Sequence, residues 1–281
     1  MQENREKNEP NLKIAIFTLD SYASIKGLER LIDKLGGNVV LIGSSKRFGG
    51  RYGSFLNQLF KNYRRSGFSF VNFQTVNLIS YKIITPIKGF FELVFKGRTS
   101  SMTLNALARK SGIPIIYSSD FSEASIVEKI REVKPDVLVS FYCDQVIKNV
   151  IIKLPTKGVI NVHSALLPNC KGPFPILCSA LKDRPGGITV HFIENESLDT
   201  GPIILQEKYQ IDKNRSLLGL ERDVMVRAAD LIVMSLKLIQ EGRVDKKPQG
   251  KGDYLSFPTR DDLKLLKHKG FSLINIKDLL A

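Results

Sequence analysis

Short apolar segments alternate with helical patterns along the first half of the chain, and this alternation constrains the fold more than any other feature. Four segments are predicted to be buried strands because they are short, apolar and rich in β-branched residues: 13–19, 39–43, 113–117 and 136–141. Apolar residues recur at helical spacing between them, at 21–35, 101–110 and 123–133. Strands and helices that alternate in this way are typical of βαβ units. The pattern predicts an α/β fold with a mostly parallel sheet.

The pattern changes in the second half. Residues 159–168 are predicted to form a strand that runs into a proline-stopped loop, and two more strands are predicted at 189–193 and 202–211. A long helical pattern covers residues 215–241. The first predicted strand is not followed by Gly-x-Gly-x-x-Gly, because residues 18–21 are Thr-Leu-Asp-Ser. Dinucleotide binding at that turn is therefore not predicted.

Composition indicates a soluble protein with an ordinary core. Apolar residues make up 43% of the chain and charged residues 25%. No run of about 18 uncharged apolar residues occurs, and the N-terminus lacks the apolar stretch of a signal peptide. Cys143, Cys170 and Cys178 show no metal-ligand spacing, and their odd number argues against a disulfide framework. We therefore expect a cytoplasmic location with reduced cysteines.

A basic, aromatic segment at residues 46–98 interrupts the α/β pattern. It contains ten Lys or Arg residues and a single acid, Glu92, in a chain of net charge +14, and it holds twelve of the 24 aromatic residues. Such a field favours a phosphate-bearing partner. Near-helical apolar spacing from Phe70 to Val94 favours an extra helical layer over the core, with an expected break at Pro86. A segment resting on an anionic membrane is the second interpretation, and RNA binding is the least favoured.

Three polar residues lie where a parallel α/β sheet places its chemistry. Asn161 and His163 are two apart on one predicted strand, so their side chains leave the same face, and Asp199 precedes Gly201 in a loop. An amide N–H and a protonated imidazole can both donate to an oxyanion, while a carboxylate can hold the imidazolium and position a water. Each residue alone is more often structural. A zinc site formed with His191 matches no metal spacing, so no metal is predicted.

The surroundings of these residues resemble the folate-dependent formyltransferase family. The resemblance runs from about residue 108 to 211 and rests on Asn-Val-His-Ser-Ala-Leu-Leu-Pro at 161–168, Gly172, Gly-Ile-Thr-Val-His-Phe at 187–192 and Leu-Asp-Thr-Gly-Pro-Ile-Ile at 198–204. The family includes glycinamide ribonucleotide formyltransferase, the amino-sugar N-formyltransferases and the catalytic domain of methionyl-tRNA formyltransferase. The resemblance implies a Rossmann-like domain, 10-formyltetrahydrofolate as formyl donor, and Asn161, His163 and Asp199 as catalytic residues.

The resemblance also implies a pocket for the folate. Gln145, Val146 and Ile147 match the segment that lines the pteridine in the family, and the loop ending at Leu198 is expected to close the other side. A plain core role for Val146 and Ile147 is an equal alternative. The sequence departs from the family pattern at Ala165, where serine is usual, and at Ser197, where glycine is common. The loop before Asp199 is also one residue longer than usual.

The acceptor amine is less well defined by the resemblance. The turn at 18–21 lacks the glycines expected for glycinamide ribonucleotide, and the residues after the long helix are too few for the β-barrel of the tRNA enzyme. Because residues 253–260 resemble the ending of amino-sugar formyltransferases, a nucleotide-linked amino sugar is the expected acceptor. A module that binds folate or a nucleotide without turnover is the non-enzymatic alternative.

The expected organisation has three parts: a disordered N-terminus at 1–12, a formyltransferase catalytic domain at 13–245 that contains the 46–98 insert, and a short C-terminal extension at 246–281. The expected partners are a small phosphate-bearing amine, an anionic membrane surface contacted through the insert, and a second copy in a homodimer.

Overall fold

The computed structural model describes residues 10–47, 54–97 and 102–280. Within these ranges one sheet of seven strands has the order β3-β2-β1-β4-β5-β6-β7. The first five strands pair in parallel, whereas β6 pairs antiparallel with β5 and β7. The strands are β1 (Ile14–Thr18), β2 (Val39–Ser45), β3 (Ile115–Ser118), β4 (Val137–Phe141), β5 (Val159–His163), β6 (Gly186–Ile193) and β7 (Ile203–Tyr209). The predicted α/β fold with a mostly parallel, Rossmann-like sheet is confirmed.

Helices flank the sheet and account for most of the remaining described chain. They are α1 (Tyr22–Leu35), α2 (Phe55–Ser66), α3 (Phe68–Thr75), α4 (Tyr81–Lys96), α5 (Leu104–Lys110), α6 (Ala124–Val133), α7 (Asn149–Ile152), α8 (Pro175–Leu181), α9 (Leu217–Gln240), α10 (Arg260–His268) and α11 (Ile276–Leu280). A 3₁₀ turn (Gly36–Asn38) follows α1, and a π-helical segment (Val76–Ser80) joins α3 to α4.

Side chains of β1 alternate between two apolar clusters, one on each face of the sheet. Ile14 and Ile16 belong to the larger cluster with α1 and α9, whereas Ala15 and Phe17 belong to the smaller cluster with α6. Leu12 also lies in the larger cluster and is only 4% exposed. The end of the segment that was expected to be disordered is therefore packed, while residues 1–9 lie outside the described residues.

The basic, aromatic insert contributes helices α2 to α4, and its residues 48–53 and 98 lie outside the described residues. Phe70 and Phe73 of α3 are buried in the larger cluster, as the interpretation of a helical layer requires. The expected break at Pro86 is wrong, because α4 continues through it. The backbone carbonyl that loses its donor belongs to Lys82, an exposed residue, so water can replace the missing N–H.

The C-terminal extension packs along the domain. Lys247 bridges to Ile203 of β7, and the side chain of Asp278 accepts hydrogen bonds from the backbone and hydroxyl of Ser216 at the start of α9. Cys170 and Cys178 form a disulfide bond, so the expectation of reduced cysteines is wrong for this pair, whereas Cys143 is free. The two residues meet because the loop after β5 returns to the start of α8. No helix among the described residues is long and apolar enough to cross a membrane.

Candidate active site

Asn161 and His163 lie at the carboxyl end of β5, the last strand of the parallel part of the sheet. Ligands of open α/β sheets bind outside this end of the strands. His163 is the final residue of β5, and it is 5% exposed. Both side chains leave the same face because the strand has a period of two, as the sequence predicts.

Asp199 reaches this strand end from the loop between β6 and β7. Its backbone is left-handed, with φ of 53°. One carboxylate oxygen, Oδ2, accepts a hydrogen bond of 2.9 Å from the backbone amide of Gly172, and the other, Oδ1, lies 3.4 Å from Nδ1 of His163. A Cβ on Gly201 would approach the carbonyl oxygen of Phe192 to 1.8 Å, so only glycine lets this loop return so closely. The structure thus brings the three predicted catalytic residues together.

His191 is a fourth member of the cluster. It lies opposite Asn161 in the β5–β6 register, and its Nε2 is 3.1 Å from Nδ2 of Asn161. Nδ1 of His191 donates to the carbonyl of Phe192 at 2.8 Å, so in the neutral ring Nε2 is the acceptor for the amide of Asn161. The same Nε2 lies 3.7 Å from Oδ1 of Asp199 and faces that carboxylate when the ring is protonated. Asn161 therefore keeps one amide N–H that His191 does not use. The position of His191 follows from strand register, which the sequence motif alone does not give.

The two main titratable groups of the cluster, His163 and Asp199, have their pKa values lowered for different reasons. Burial lowers the pKa of His163, although the charge of Asp199 and the carbonyl of Cys170, 2.8 Å from Nε2, act in the opposite direction. Burial alone would raise the pKa of Asp199, but the two imidazoles and the Gly172 amide outweigh it and hold that pKa well below its usual range. Near neutral pH, Asp199 is ionised and His163 is mostly neutral.

A hydrogen-bonded clamp holds the loop that follows His163. The hydroxyl of Thr189 donates to the carbonyl of Ala165 at 2.6 Å and accepts from the backbone amide of Leu167 at 3.2 Å. Gln206 of β7 donates to the carbonyl of Leu167 and to the same hydroxyl. The antiparallel strands therefore fix the loop. Residue 165 is alanine where serine is usual in the family, so the loop lacks a hydroxyl there. Thr189 of the neighbouring strand β6 supplies a hydroxyl to this loop instead.

The C-terminal extension holds the other side of this loop. A carboxylate oxygen of Asp253 accepts a 2.7 Å hydrogen bond from the amide of Cys170, and the same carboxylate pairs with Arg184 at 2.8 Å. A Cβ on Gly172, whose φ is 109°, would lie 2.2 Å from the carbonyl oxygen of Leu255. The amide that fixes Asp199 is thus itself fixed by the tail.

The predicted folate-binding residues have different environments. The side chain of Gln145 is engaged by Ser45, Ser118 and the amide of Phe121, and Ile147 lies in the smaller apolar cluster. Only Val146 and Leu198 present exposed apolar side chains, at 40% and 46% exposure.

Glu196 joins the two loops that carry these residues. Its carboxylate accepts from Nζ of Lys148 and from the backbone amide of Asn149, each at 3.0 Å. The loop after β4 and the loop that carries Asp199 therefore lie side by side.

Metal ligation is a different use that clustered imidazoles and carboxylates can have. In the described part of the chain, no group of three or more His, Cys, Asp or Glu side chains has an arrangement that could hold a metal ion. In the cluster itself, Nε2 of His163 and Nδ1 of His191 each face a backbone carbonyl.

A mostly parallel sheet with an amide, two imidazoles and a carboxylate at the carboxyl end of β5 defines an α/β protein with a polar centre suited to acyl-group transfer. The chain belongs to the formyl transferase family, whose sequence profile matches residues 96–236. The family resemblance found in the sequence is therefore confirmed.

Curated relatives of the chain include methionyl-tRNA formyltransferases. The enzyme of Fusobacterium nucleatum is 31% identical over 149 residues, which cover 53% of this chain and 48% of that protein. The enzyme of Magnetococcus marinus is 34% identical over 135 residues, which cover 48% and 43%. The chain thus spans about half the length of the curated relatives it matches.

Solved structures share the fold over most of the chain. A sugar N-formyltransferase from Shewanella has a TM-score of 0.54 at 17% identity and covers 91% of this chain, which covers 87% of it. Glycinamide ribonucleotide transformylase 1 from Symbiobacterium toebii has a TM-score of 0.55 at 16% identity, with coverage of 85% and 93%. An N-formyltransferase from Helicobacter canadensis, solved with folinic acid and dTDP-3-aminofucose, has a TM-score of 0.56 at 18% identity, with coverage of 89% and 72%.

Proposed function

We propose that this chain is an N-formyltransferase that moves a formyl group from 10-formyltetrahydrofolate to the amine of a nucleotide-linked amino sugar. The observation that carries the proposal is the contact between His163 and Asp199 beside Asn161, in a chain of the formyl transferase family. The proposed location is the cytoplasm.

His163 and Asp199 form the proton-handling pair of the proposed mechanism. Nε2 of His163 already donates to a carbonyl, so Nδ1 is the nitrogen that can take up a proton. A proton on Nδ1 would face the ionised carboxylate of Asp199 at 3.4 Å and be stabilised by it. The pair can accept the proton that the attacking amine loses as the new carbon–nitrogen bond forms. It can return that proton to the departing nitrogen as the old carbon–nitrogen bond breaks.

Asn161 supplies the group that stabilises developing negative charge. When the amine adds to the formyl carbon, the carbonyl electron pair moves onto oxygen, and an N–H aimed at that oxygen lowers the barrier. One such donor is typically worth about 3–4 kcal/mol. The second N–H of Asn161 fits this role, because the first is committed to Nε2 of His191.

We place the folate beside the two loops that Glu196 joins. When bound, it supplies the formyl carbon and a leaving nitrogen. Val146 and Leu198 would hold its ring by apolar contact. The side-chain amide of Gln145 already donates to Ser45 and Ser118, so its role would be to position the loop.

We place an amine-bearing, hydroxyl-rich acceptor at the carboxyl ends of β1, β2 and β4. The side chains of Thr18 and Ser44, which are neighbours in the strand register, are buried and have hydroxyls without a partner among the described residues. Asp20 and Asp144 each keep one buried carboxylate oxygen without a partner there, while the other oxygen pairs with Lys82 and with Arg47, respectively. Hydroxyls and carboxylates suit a sugar that carries an ammonium group. The Helicobacter canadensis neighbour, solved with an aminofucose nucleotide, supports this class of acceptor.

Methionyl-tRNA is the second candidate acceptor. The specific observation in its favour is the identity of 31% to the methionyl-tRNA formyltransferase of Fusobacterium nucleatum. A basic insert with exposed aromatic side chains is also compatible with RNA.

A direct assay separates these acceptors. The purified chain would be mixed with 10-formyltetrahydrofolate and, separately, with dTDP- and UDP-linked amino sugars, glycinamide ribonucleotide or methionyl-tRNA. Formylated product would be identified by mass spectrometry, with the Asp199→Asn variant as a blank. We expect product from an amino-sugar nucleotide alone. Folate binding without product from any acceptor would support the non-catalytic module and refute the proposal.

A further inference from the structure

The charged and apolar side chains of helix α4 are distributed in the opposite way to those of an ordinary surface helix. Its inward face carries Tyr81, which is 2% exposed, then Thr85, Gly89 and Glu92, a carboxylic acid that is only 8% exposed. A surface helix normally buries its apolar side chains and exposes its charges. Here the only acid of the helix points inward and the apolar side chains point outward.

The outward apolar surface of α4 is large and nearly continuous. It consists of eight side chains that are 40–78% exposed: Ile83, Ile84, Ile87, Phe90, Phe91, Leu93, Val94 and Phe95. At about 100° per residue these positions cover roughly 200° of the helix circumference. A groove on a protein partner would cover only one face of the helix. The interfacial layer of a bilayer can contact the whole of this wide apolar arc. The shape of this surface therefore favours lipid.

The insert that carries α4 is almost entirely basic, and one acid that lies against it from outside, Asp20, is paired with Lys82 at 2.9 Å. Apart from the inward-facing Glu92, no Asp or Glu occurs between Asp33 and Asp120. The exposed side of α2 carries Lys61 and Arg64 next to Phe60 and Tyr63, which are 62% and 48% exposed. Aromatic rings with adjacent basic groups are typical of segments that lie at a membrane interface. The charge is complementary to anionic headgroups and repels a second copy of the same surface.

We propose that α4 lies in the interfacial layer of an anionic phospholipid bilayer, with its outward apolar arc inserted and the helix axis in the membrane plane. The helix has 16 residues, too few to span a bilayer, which takes about 20. RNA fits less well, because five of the eight outward side chains are aliphatic and offer no ring on which a base can stack. The membrane would hold the enzyme at a surface without contact to the His163–Asp199 centre.

Vesicle sedimentation tests the proposal. The purified chain would be spun with vesicles of phosphatidylcholine alone or of phosphatidylcholine with 30% phosphatidylglycerol, at low and at high salt. We expect binding to the anionic vesicles at low salt and at least tenfold weaker binding to neutral ones, because each basic residue near an anionic surface strengthens binding. The variant Phe91→Ser/Phe95→Ser should weaken the binding at least tenfold, since it removes two aromatic rings that the proposed insertion buries in lipid.

A matched control is Met234→Ser, which removes an apolar side chain of similar exposure, 55%, from α9. It should bind vesicles like the wild type. Circular dichroism should show equal folding of all three proteins, as every substituted side chain is exposed. The proposal is overturned if the wild type does not sediment with anionic vesicles, or if the double variant binds them as well as the control. Light scattering that shows a dimer lost in the double variant, without vesicle binding, would assign the surface to a second copy instead.

Discussion

Nδ1 of His163 lies 3.4 Å from Oδ1 of Asp199, and the second oxygen of that carboxylate is held by the backbone amide of Gly172. The carboxylate therefore cannot turn away from the imidazole without losing a hydrogen bond. Its residue is also held in a left-handed conformation, with φ of 53°, which few side chains tolerate. A strained backbone that fixes a buried charge beside an imidazole is typical of a functional site.

Removing the charge of Asp199 should abolish most turnover. Asp199→Asn keeps the shape of the side chain but removes the negative charge that stabilises a proton on His163. We expect turnover to fall at least about a hundredfold, the lower range for a group in proton transfer. Folate binding, followed by fluorescence quenching, should persist. Asp33→Asn on the exposed side of α1 is the matched control and should keep wild-type turnover. Comparable rates in the two variants would refute the proton-handling role.

The role of Asn161 as an oxyanion donor predicts an order among its variants. Asn161→Ala removes the N–H and should lower turnover about a hundredfold or more. Asn161→Asp has nearly the same size but places a carboxylate where negative charge develops, so it should be slower still. Steady-state rates of both variants at pH 8, where the new carboxylate is ionised, check the order. If the aspartate variant matches or exceeds the alanine variant, Asn161 does not act as this donor.

The parallel sheet could be predicted from sequence because it rests on local patterns, whereas the three candidate catalytic residues were assigned from motifs that resemble the formyltransferase family. Short apolar runs indicate buried strands, and residues two apart on a strand share a face. The motif around Asp199 then supplied the third group. Their proximity in the structure agrees with that prediction, while their roles remain predictions.

Features that depend on long-range packing could not be predicted in this way. His191 joins Asn161 only through the antiparallel register of β5 and β6. The tail reaches the loop after β5 from about 80 residues further along, where Asp253 bonds to the amide of Cys170. Pro86 was expected to end a helix by its local effect, but α4 continues past it because the neighbouring backbone is exposed to water. The first two features depend on contacts between segments far apart in the chain, which local propensity does not encode.

A buried acid links the insert to the rest of the domain and predicts pH-dependent stability. The hydroxyl of Tyr142 donates to Oε2 of Glu221 at 2.6 Å and accepts from the side-chain amide of Asn77 at 3.2 Å. Burial raises the pKa of Glu221 to about 7. In the unfolded chain, a glutamate has a pKa of about 4.3. Between these values, the folded protein holds a proton that the unfolded chain has lost, so stability falls as pH rises from about 4.3 to about 7 and then levels off.

Glu221→Gln should therefore stabilise the protein at pH 8 relative to the wild type, because the glutamine stays neutral and still offers an oxygen to Tyr142. The gain should be of the order of 3 kcal/mol at pH 8 and only about 1 kcal/mol at pH 5. Urea denaturation at both pH values measures it. Glu132→Gln, an exposed substitution on α6, should show no such pH dependence. A gain that is the same at both pH values would contradict the raised pKa of Glu221.

Gly172 should be more sensitive to substitution than a glycine with positive φ elsewhere. Its φ is 109°, and a Cβ there would lie 2.2 Å from the backbone carbonyl oxygen of Leu255. Gly242 also has a positive φ, 66°, but no atom lies within 4 Å of its Cβ position. Gly242→Ala should cost about 1–2 kcal/mol of stability, the strain of a left-handed residue. Gly172→Ala adds a steric clash with backbone and should cost more.

The two alanine variants should also differ in turnover. A clash at residue 172 displaces the amide that holds Asp199, so Gly172→Ala should lower turnover at least tenfold, because small shifts of catalytic groups are costly. Gly242→Ala should not change turnover, since its turn ends α9 away from this loop. Urea denaturation and steady-state rates, measured below the unfolding transition of both variants, separate stability from catalysis. If Gly172→Ala is folded and fully active, the tail and the Gly172 amide are not needed to hold the carboxylate beside His163.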